Sequence, residues 1–239
     1  VVGNKVKPIL AHGVEMMSMG SLMEEGQSLI WRGAMIMKAI EQLLRDILWS
    51  ELDVLFIDMP PGTGDAQLTL AQSVPVTTGI CVTTPQQVAL DDTERSLDMF
   101  KKLHIPIAGI MENMSGFICP ETNKEYDIFG KGTTQPLADK FDTVILGEIP
   151  IEPAIREGGD AGKPVVFFQP QSESAKRYQQ AAARLWEDIE KINDEGGVSN
   201  ESIQPTMGIN GAPSACSTAA AAPESKKDDG SCGSGCGCH

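Results

Sequence analysis

The chain has 239 residues, which is enough for one sizeable α/β domain and an additional segment. Its formal net charge of -14 argues against nonspecific binding to nucleic acid or to anionic membranes, because both are polyanions. No apolar run reaches the ~18 residues that a membrane-spanning helix needs, and we expect no signal peptide. Only Cys81 and Cys119 lie in the first 192 residues, which is too few for a disulfide framework. We therefore expect a reducing, cytoplasmic compartment.

Composition divides the chain into two regions. Residues 1–192 alternate strand-like and helix-like segments, whereas Gly, Ser, Ala, Pro and Asn dominate residues 193–239 without any periodicity. Such a segment buries too little apolar surface to offset the entropy lost on ordering it. The prediction is therefore a folded domain over 1–192 and a disordered tail over 193–239.

The first region reads as a series of βαβ units. In chain order we predict a strand over 14–19, a helix over 34–49, strands over 53–58 and 78–83, a helix over 88–103, strands over 107–111 and 143–149, and a helix over 172–192. Residues 53–58 are apolar nearly throughout, as expected for a strand covered on both faces. The alternation predicts a three-layer α/β fold with a mostly parallel sheet, in which ligands bind at the carboxyl ends of the strands.

The most specific motif follows the predicted strand over 53–58, where residues 58–65 read DMPPGTGD. An Asp at the end of a strand can hold Mg²⁺ through water, because hard cations prefer oxygen ligands. The glycines let backbone N–H groups approach a terminal phosphate, and Asp65 can cap the next helix. The alternative is an ordinary strand–turn–helix junction with a capping Asp.

Residues 58–70, DMPPGTGDAQLTL, resemble the Walker B and switch II segment of the Mrp/ApbC family, which are P-loop ATPases related to MinD and ParA. Further similar stretches follow in the same order and spacing, among them MSMG at 17–20, ENMS at 112–115 and GEIP at 147–150. The resemblance implies a SIMIBI-type P-loop NTPase fold. It also implies an ATP-binding and ATP-hydrolysing iron–sulfur cluster carrier that acts as a homodimer on apo iron–sulfur proteins.

The same resemblance implies roles for three residues. Asp58 matches the Walker B acid near Mg²⁺, and Gly62 matches the switch II glycine that senses the γ-phosphate of ATP. Asn113, at the carboxyl end of a predicted strand, matches the asparagine that reads the adenine edge, and an amide suits that role because it offers a donor and an acceptor together. Without the resemblance, a turn-forming role for Asn113 is the simpler interpretation.

The chain departs from the family pattern in its phosphate-binding loop. The family sequence GKGGVGK, followed by Ser or Thr, has no counterpart in the 239 residues. In the family this loop precedes the segment that corresponds to Val1, so we expect that the sequence begins inside the domain, without its N-terminal P-loop unit. A degenerate homologue that functions without a P-loop is the alternative. We expect this chain alone to be inactive as an ATPase.

A second departure concerns the metal ligands. Family members commonly carry Cys-Pro-x-Cys after the Asn-Met-Ser strand, and two such pairs across a dimer supply four thiolates to one cluster. Here the second cysteine is replaced by Thr122, so two copies of Cys119 supply only two thiolates. Cys119 is either a remaining cluster ligand or a loop cysteine without a specific role.

The tail offers a substitute set of ligands. Cys232, Cys236, Cys238 and His239 lie within eight residues, and the intervening glycines allow the tight reversal that lets neighbours converge on one metal. Thiolates with imidazole suit an iron–sulfur cluster, Zn²⁺ or Cu(I). The alternative is a low-complexity tail whose cysteines do nothing specific.

Two other functions compete with the cluster carrier. A MinD/ParA-like positioning ATPase is disfavoured by the acidic charge and by the missing C-terminal amphipathic helix. A non-catalytic metallochaperone or scaffold would bind metal through the tail and use the domain only for partner contacts. A phosphate-binding loop, present or absent, discriminates between the carrier ATPase and the scaffold.

Overall fold

The computed structural model describes residues 5–22, 33–62, 64–122 and 124–197. All of them lie in the first of two units, Val1–Thr206, and the second unit, Met207–His239, lies outside the described residues. The strands are β1 (Ile9–Ala11), β2 (Val14–Met16), β3 (Gly79–Thr83), β4 (Ile107–Ile118), β5 (Glu125–Tyr126) and β6 (Ile145–Ile151). The helices are a 3-10 turn (Gly20–Leu22), α1 (Gly33–Arg45), α2 (Asp65–Ser73), α3 (Gln87–Lys102), α4 (Gln135–Phe141), α5 (Pro153–Asp160), α6 (Val165–Phe168) and α7 (Glu173–Asp194). No helix in the described part of the chain is both long and apolar enough to cross a membrane.

The central sheet is parallel, as the alternation of strands and helices predicts. β4 lies between β3 and β6 and pairs with both in parallel, and the short β5 pairs antiparallel with the last residues of β4. Thr83 of β3 lies opposite Glu112 of β4, which in turn lies opposite Glu148 of β6. The carboxyl ends of the three strands therefore meet at one edge of the sheet.

Helices cover the sheet on both faces, which confirms the three-layer prediction. Successive residues of a strand point to opposite faces, and a β-bulge between Ile107 and Gly109 shifts this alternation, so Ala108 and Ile110 lie on opposite faces of the sheet. On one face α3 and α4 pack against the sheet through Cys81, Leu90, Leu97, Ile110, Leu137, Ala138 and Phe141. On the other face α7 packs against it through Ala108, Leu146, Ala181 and Leu185. The helix over 172–192 is thus confirmed, with α7 slightly longer than predicted.

The predicted strand over residues 53–58 is wrong for the described structure. This segment has no regular secondary structure, and its side chains are exposed except for that of half-buried Val54, with Phe56 at 72%. A strand needs a neighbour to complete its hydrogen bonds and to cover its apolar faces. Among the described strands, none pairs with residues 53–58, so the apolar sequence is present without the ladder that would make it a strand.

Two N-terminal elements also differ from prediction. The strand over 14–19 is shorter, ends at Met16, and pairs antiparallel with β1 rather than joining the parallel sheet. The helix over 34–49 ends at Arg45. Beyond it, the N–H of Leu48 donates to the carbonyl oxygen of Val6 at 2.8 Å, so an extended bridge replaces the last predicted turn.

Substitution of Leu97 tests the packing of α3. Leu97 is 0% exposed in the layer between the sheet and α4, so Leu97→Ala removes buried apolar surface and leaves a cavity. We expect the free energy of unfolding in urea to fall by about 2–5 kcal/mol. Val88→Ala, on the same helix at a residue that is 77% exposed, is the control, and we expect it to change stability by less than ~0.5 kcal/mol. Equal effects would contradict the assigned inner face of α3.

Candidate functional site

The turn that contains Asp58 and Gly62 leads directly into α2. The side chain of Asp58 is exposed. Gly62 has a φ of 103°, a conformation that glycine adopts without the strain that a Cβ would bring. The expectation that Asp65 caps the helix is wrong, because Gly64 is the N-cap in an extended conformation and Asp65 is the first helical residue.

Gln67 of α2, which is not among the predicted site residues, holds this turn in place. Gln67 is only 9% exposed, and its Nε2 donates to the carbonyl oxygens of Pro60 at 2.8 Å and Gly62 at 2.7 Å. The signal for it was a polar residue at helical spacing from Leu70 and Ala71, both buried. A glutamine on the apolar face of a helix needs an internal hydrogen-bond partner, because burying an unpaired amide costs free energy.

The opposite end of α2 is anchored in a small apolar cluster. Ala71 packs there with Leu103 and Ile105, the residues that follow α3, and Leu68 lies against the same cluster. The turn at 58–64 is thus connected through α2 to the part of the core beside α3.

Asn113 lies at an irregularity of β4 rather than at its end. The parallel pairing of β4 with β6 is interrupted between Asn113 and Phe117, although β4 itself continues to Ile118. Met114 has a φ of 57°, and its N–H donates to Oδ1 of Asn113 at 3.0 Å. The sequence prediction that Asn113 ends a strand therefore holds only for the uninterrupted part of the ladder.

Beside Asn113, Glu112 fastens the loop before α4 to the sheet. Glu112 is 1% exposed, and its carboxylate accepts a hydrogen bond from the hydroxyl of Thr134. The hydroxyl of neighbouring Thr133 donates to the carbonyl oxygen of Pro85 at 2.8 Å, so the loop is tied both to β4 at Glu112 and to the segment that follows β3. Burial raises the pKa of Glu112; the Thr134 hydrogen bond opposes this rise, and the nearby Glu148 carboxylate adds to it.

This raised pKa makes part of the protein's stability depend on pH. Because the folded-state pKa of Glu112 lies above the unfolded value of about 4.3, its contribution is fully present below that value and is lost as the pH rises through the folded-state pKa. Glu112→Gln stays neutral at every pH and can still accept the Thr134 hydrogen bond. We therefore expect the variant to gain stability over the parent as the pH rises from about 5 to 8.

Urea unfolding of both proteins across this pH range measures the difference. Glu187→Gln on α7, at an exposed carboxylate, is the matched control for the removal of one carboxyl group. If the stability difference between Glu112→Gln and the parent does not change with pH, the surroundings of Glu112 do not destabilise its charged form.

Cys119 lies at the start of the turn that joins β4 to β5. Its N–H donates to the carbonyl oxygen of Lys124 at 3.0 Å, which closes the hairpin formed by Phe117 opposite Tyr126. The Thr122 hydroxyl, and with it the backbone at Thr122 and Glu121, hydrogen-bonds to the sulfur and lowers the pKa of Cys119. Thr122, which stands where the family has a second cysteine, thus favours the Cys119 thiolate, the form that binds metal.

The other candidate residues are not brought to Cys119 in the described part of the chain. Cys81 is buried in β3, and burial raises its pKa to about 12, as expected for a small core residue. No group of three or more His, Cys, Asp or Glu side chains suited to one metal ion occurs among the described residues. Cys232, Cys236, Cys238 and His239 lie outside the described residues. Within the described residues, the hydrogen bonds join Gly62 to Gln67 of α2 and Asn113 to Met114, and none of those found joins Gly62 to Asn113.

The sequence of this chain is similar to those of known proteins. The profile of the NUBPL iron-transfer P-loop NTPase family matches residues 1–186. An iron-sulfur cluster carrier protein of Helicobacter pylori is 57% identical over 205 residues, which are 86% of this chain and 56% of that protein. The mouse iron-sulfur cluster transfer protein NUBPL is 45% identical over 182 residues, 76% of this chain and 57% of that protein. The chain thus spans just over half the length of these curated relatives.

Among solved structures, a nucleotide-binding protein from Archaeoglobus fulgidus in complex with ADP is similar to this chain. It superimposes with a TM-score of 0.56 at 32% sequence identity, over 68% of this chain and 63% of that one. The likeness agrees with the parallel α/β architecture described above.

Proposed function

The chain belongs to the NUBPL iron-transfer P-loop NTPase family, and we propose on this basis that it is part of an ATP-dependent iron–sulfur cluster carrier. The observation that carries the proposal is the match over residues 1–186, which includes the DMPPGTGD turn and the hairpin of Cys119. We propose that the carrier works as a homodimer in the cytoplasm and delivers clusters to apo iron–sulfur proteins. The net charge of -14 does not favour nucleic acid or anionic membranes as partners.

For the nucleotide, we propose that Asp58, Gly62 and Asn113 have the roles that the family resemblance implies. The exposed carboxylate of Asp58 fits a Mg²⁺ ion and its waters, since Mg²⁺ takes oxygen ligands and keeps much of its hydration shell. Bound Mg²⁺ would neutralise charge that develops on the phosphates during ATP hydrolysis. Gly62 would place its backbone near the γ-phosphate, and the amide of Asn113 would face the adenine edge.

Hydrolysis also needs phosphate-binding lysines on a glycine-rich loop, and no stretch of the 239 residues matches one. We therefore propose that turnover belongs to the complete gene product and not to these residues by themselves. The missing motif, together with the cysteine-rich tail, keeps a second candidate function in view: a non-catalytic metallochaperone or scaffold that binds metal through the tail.

For the cluster, we propose that the tail supplies most of the ligands. Among the described residues each chain offers one partly exposed cysteine, Cys119, so a dimer offers two sulfur ligands where four are usual. Cys232, Cys236, Cys238 and His239 complete a four-ligand set within one chain. A glycine-rich tail loses conformational entropy when it wraps a metal, which lowers its affinity and suits a carrier that must release its cargo.

Anaerobic reconstitution with iron and sulfide tests this assignment. We expect a chain that ends at Gly230 to lose most of the bound iron, and Cys119→Ser to lose little. Cys216→Ser, at a tail cysteine outside the terminal cluster, is the matched control and should bind iron like the parent. Full binding by the shortened chain, together with loss of binding in Cys119→Ser, would assign the cluster to Cys119 instead of the tail.

A further inference from the structure

We infer that Gln67 is a positioning residue for the nucleotide-sensing turn, because it fixes the backbone of residues 60–62 from the first turns of α2. This inference rests on the proposed function, since it takes the turn at 58–64 to be the segment that responds to ATP. The resemblance assigns roles within this turn to Asp58 and Gly62, whereas Gln67 lies beyond it in the helix.

The turn has few means of holding itself in place. Pro60 and Pro61 have no backbone N–H, so two successive residues cannot donate to the rest of the turn. Gly62 has no side chain to restrict its backbone, and its φ of 103° lies in a region that glycine alone visits freely. A turn of this composition needs hydrogen-bond donors from another element if it is to keep one shape.

Gln67 supplies those donors. Its single Nε2 donates to Pro60 at 2.8 Å and to Gly62 at 2.7 Å, which uses both hydrogens of the amide on the carbonyls that flank Pro61. Because the Gln67 side chain is buried, water competes little for these two hydrogen bonds. One side chain thereby holds two of the peptide groups between Asp58 and the start of α2, those that carry the carbonyl oxygens of Pro60 and Gly62.

The helix that carries Gln67 is itself held by packing. Ala66 and Leu70 are buried on its inner face, and Ala71 contacts the cluster of Leu103 and Ile105. The position of the turn is therefore set from the core through α2. Pre-arranged geometry of this kind raises the rate of a reaction chiefly through orientation and much less through ground-state binding.

The first measurement is hydrogen–deuterium exchange on the 239-residue chain. Gln67→Met keeps nearly the same volume but has no donor, and Gln67→Glu keeps the shape but presents a carboxylate to the two carbonyl oxygens. For both variants we expect peptides over residues 58–66 to exchange about tenfold faster or more, while peptides of α3 are unchanged. Gln179→Met, at an exposed glutamine of α7, is the matched control and should leave the turn unaffected. Unchanged exchange over 58–66 in both Gln67 variants would overturn the inference.

The second measurement is ATP turnover by the complete gene product. We expect Gln67→Met to lower kcat by about 10- to 100-fold while KM for ATP changes by less than about threefold, because orientation is lost and most binding contacts remain. Asp58→Asn is the reference for loss of turnover. Faster exchange in the turn with an unchanged kcat, or a loss confined to KM, would overturn the positioning role. A parent protein with no turnover would overturn the proposed function and with it the role in catalysis, and the exchange data would still decide whether Gln67 holds the turn.

Discussion

Parallel pairing of β4 with β3 on one side and β6 on the other is the constraint on which the rest of the structure depends. It brings the carboxyl ends of three strands to one edge, and so places Glu112 and Asn113 beside the loops that follow β3 and β6. The same pairing creates two apolar faces, which α3 and α4 cover on one side and α7 on the other. The hairpin of Cys119, which follows β4, begins from this edge.

The loops themselves are held by side chains from neighbouring elements more than by their own backbones. Gln67 of α2 holds the proline- and glycine-rich turn, and Thr133 and Thr134 tie the loop before α4 to β3 and β4. Thr122 supports the thiolate of Cys119 within its hairpin. Because each of these loops is held by hydrogen bonds from a nearby side chain, single substitutions should loosen one loop and leave the sheet intact.

The sequence predicted the architecture well where apolar periodicity decides the structure, as in α3, α7 and the parallel strands. The strand predicted over residues 53–58 is wrong, because an apolar run indicates only that a segment is suited to a strand. It does not indicate whether a partner strand lies beside it. The sequence predicted a strand end near Asn113 because the apolar run stops at Met111, whereas β4 continues to Ile118. Gln67 and Glu112 were missed as functional residues because their importance lies in burial and hydrogen bonding, which spacing alone does not reveal.

Circular dichroism in the visible region directly measures the transfer of a cluster from this protein to an acceptor. The reconstituted chain is mixed anaerobically with an apo-ferredoxin, and formation of the holo-ferredoxin spectrum is followed in time. We expect the holo-ferredoxin to form faster from the reconstituted chain than from an equal amount of free iron and sulfide. A rate no greater than that of free iron and sulfide would contradict the proposal that this chain is part of an iron–sulfur cluster carrier.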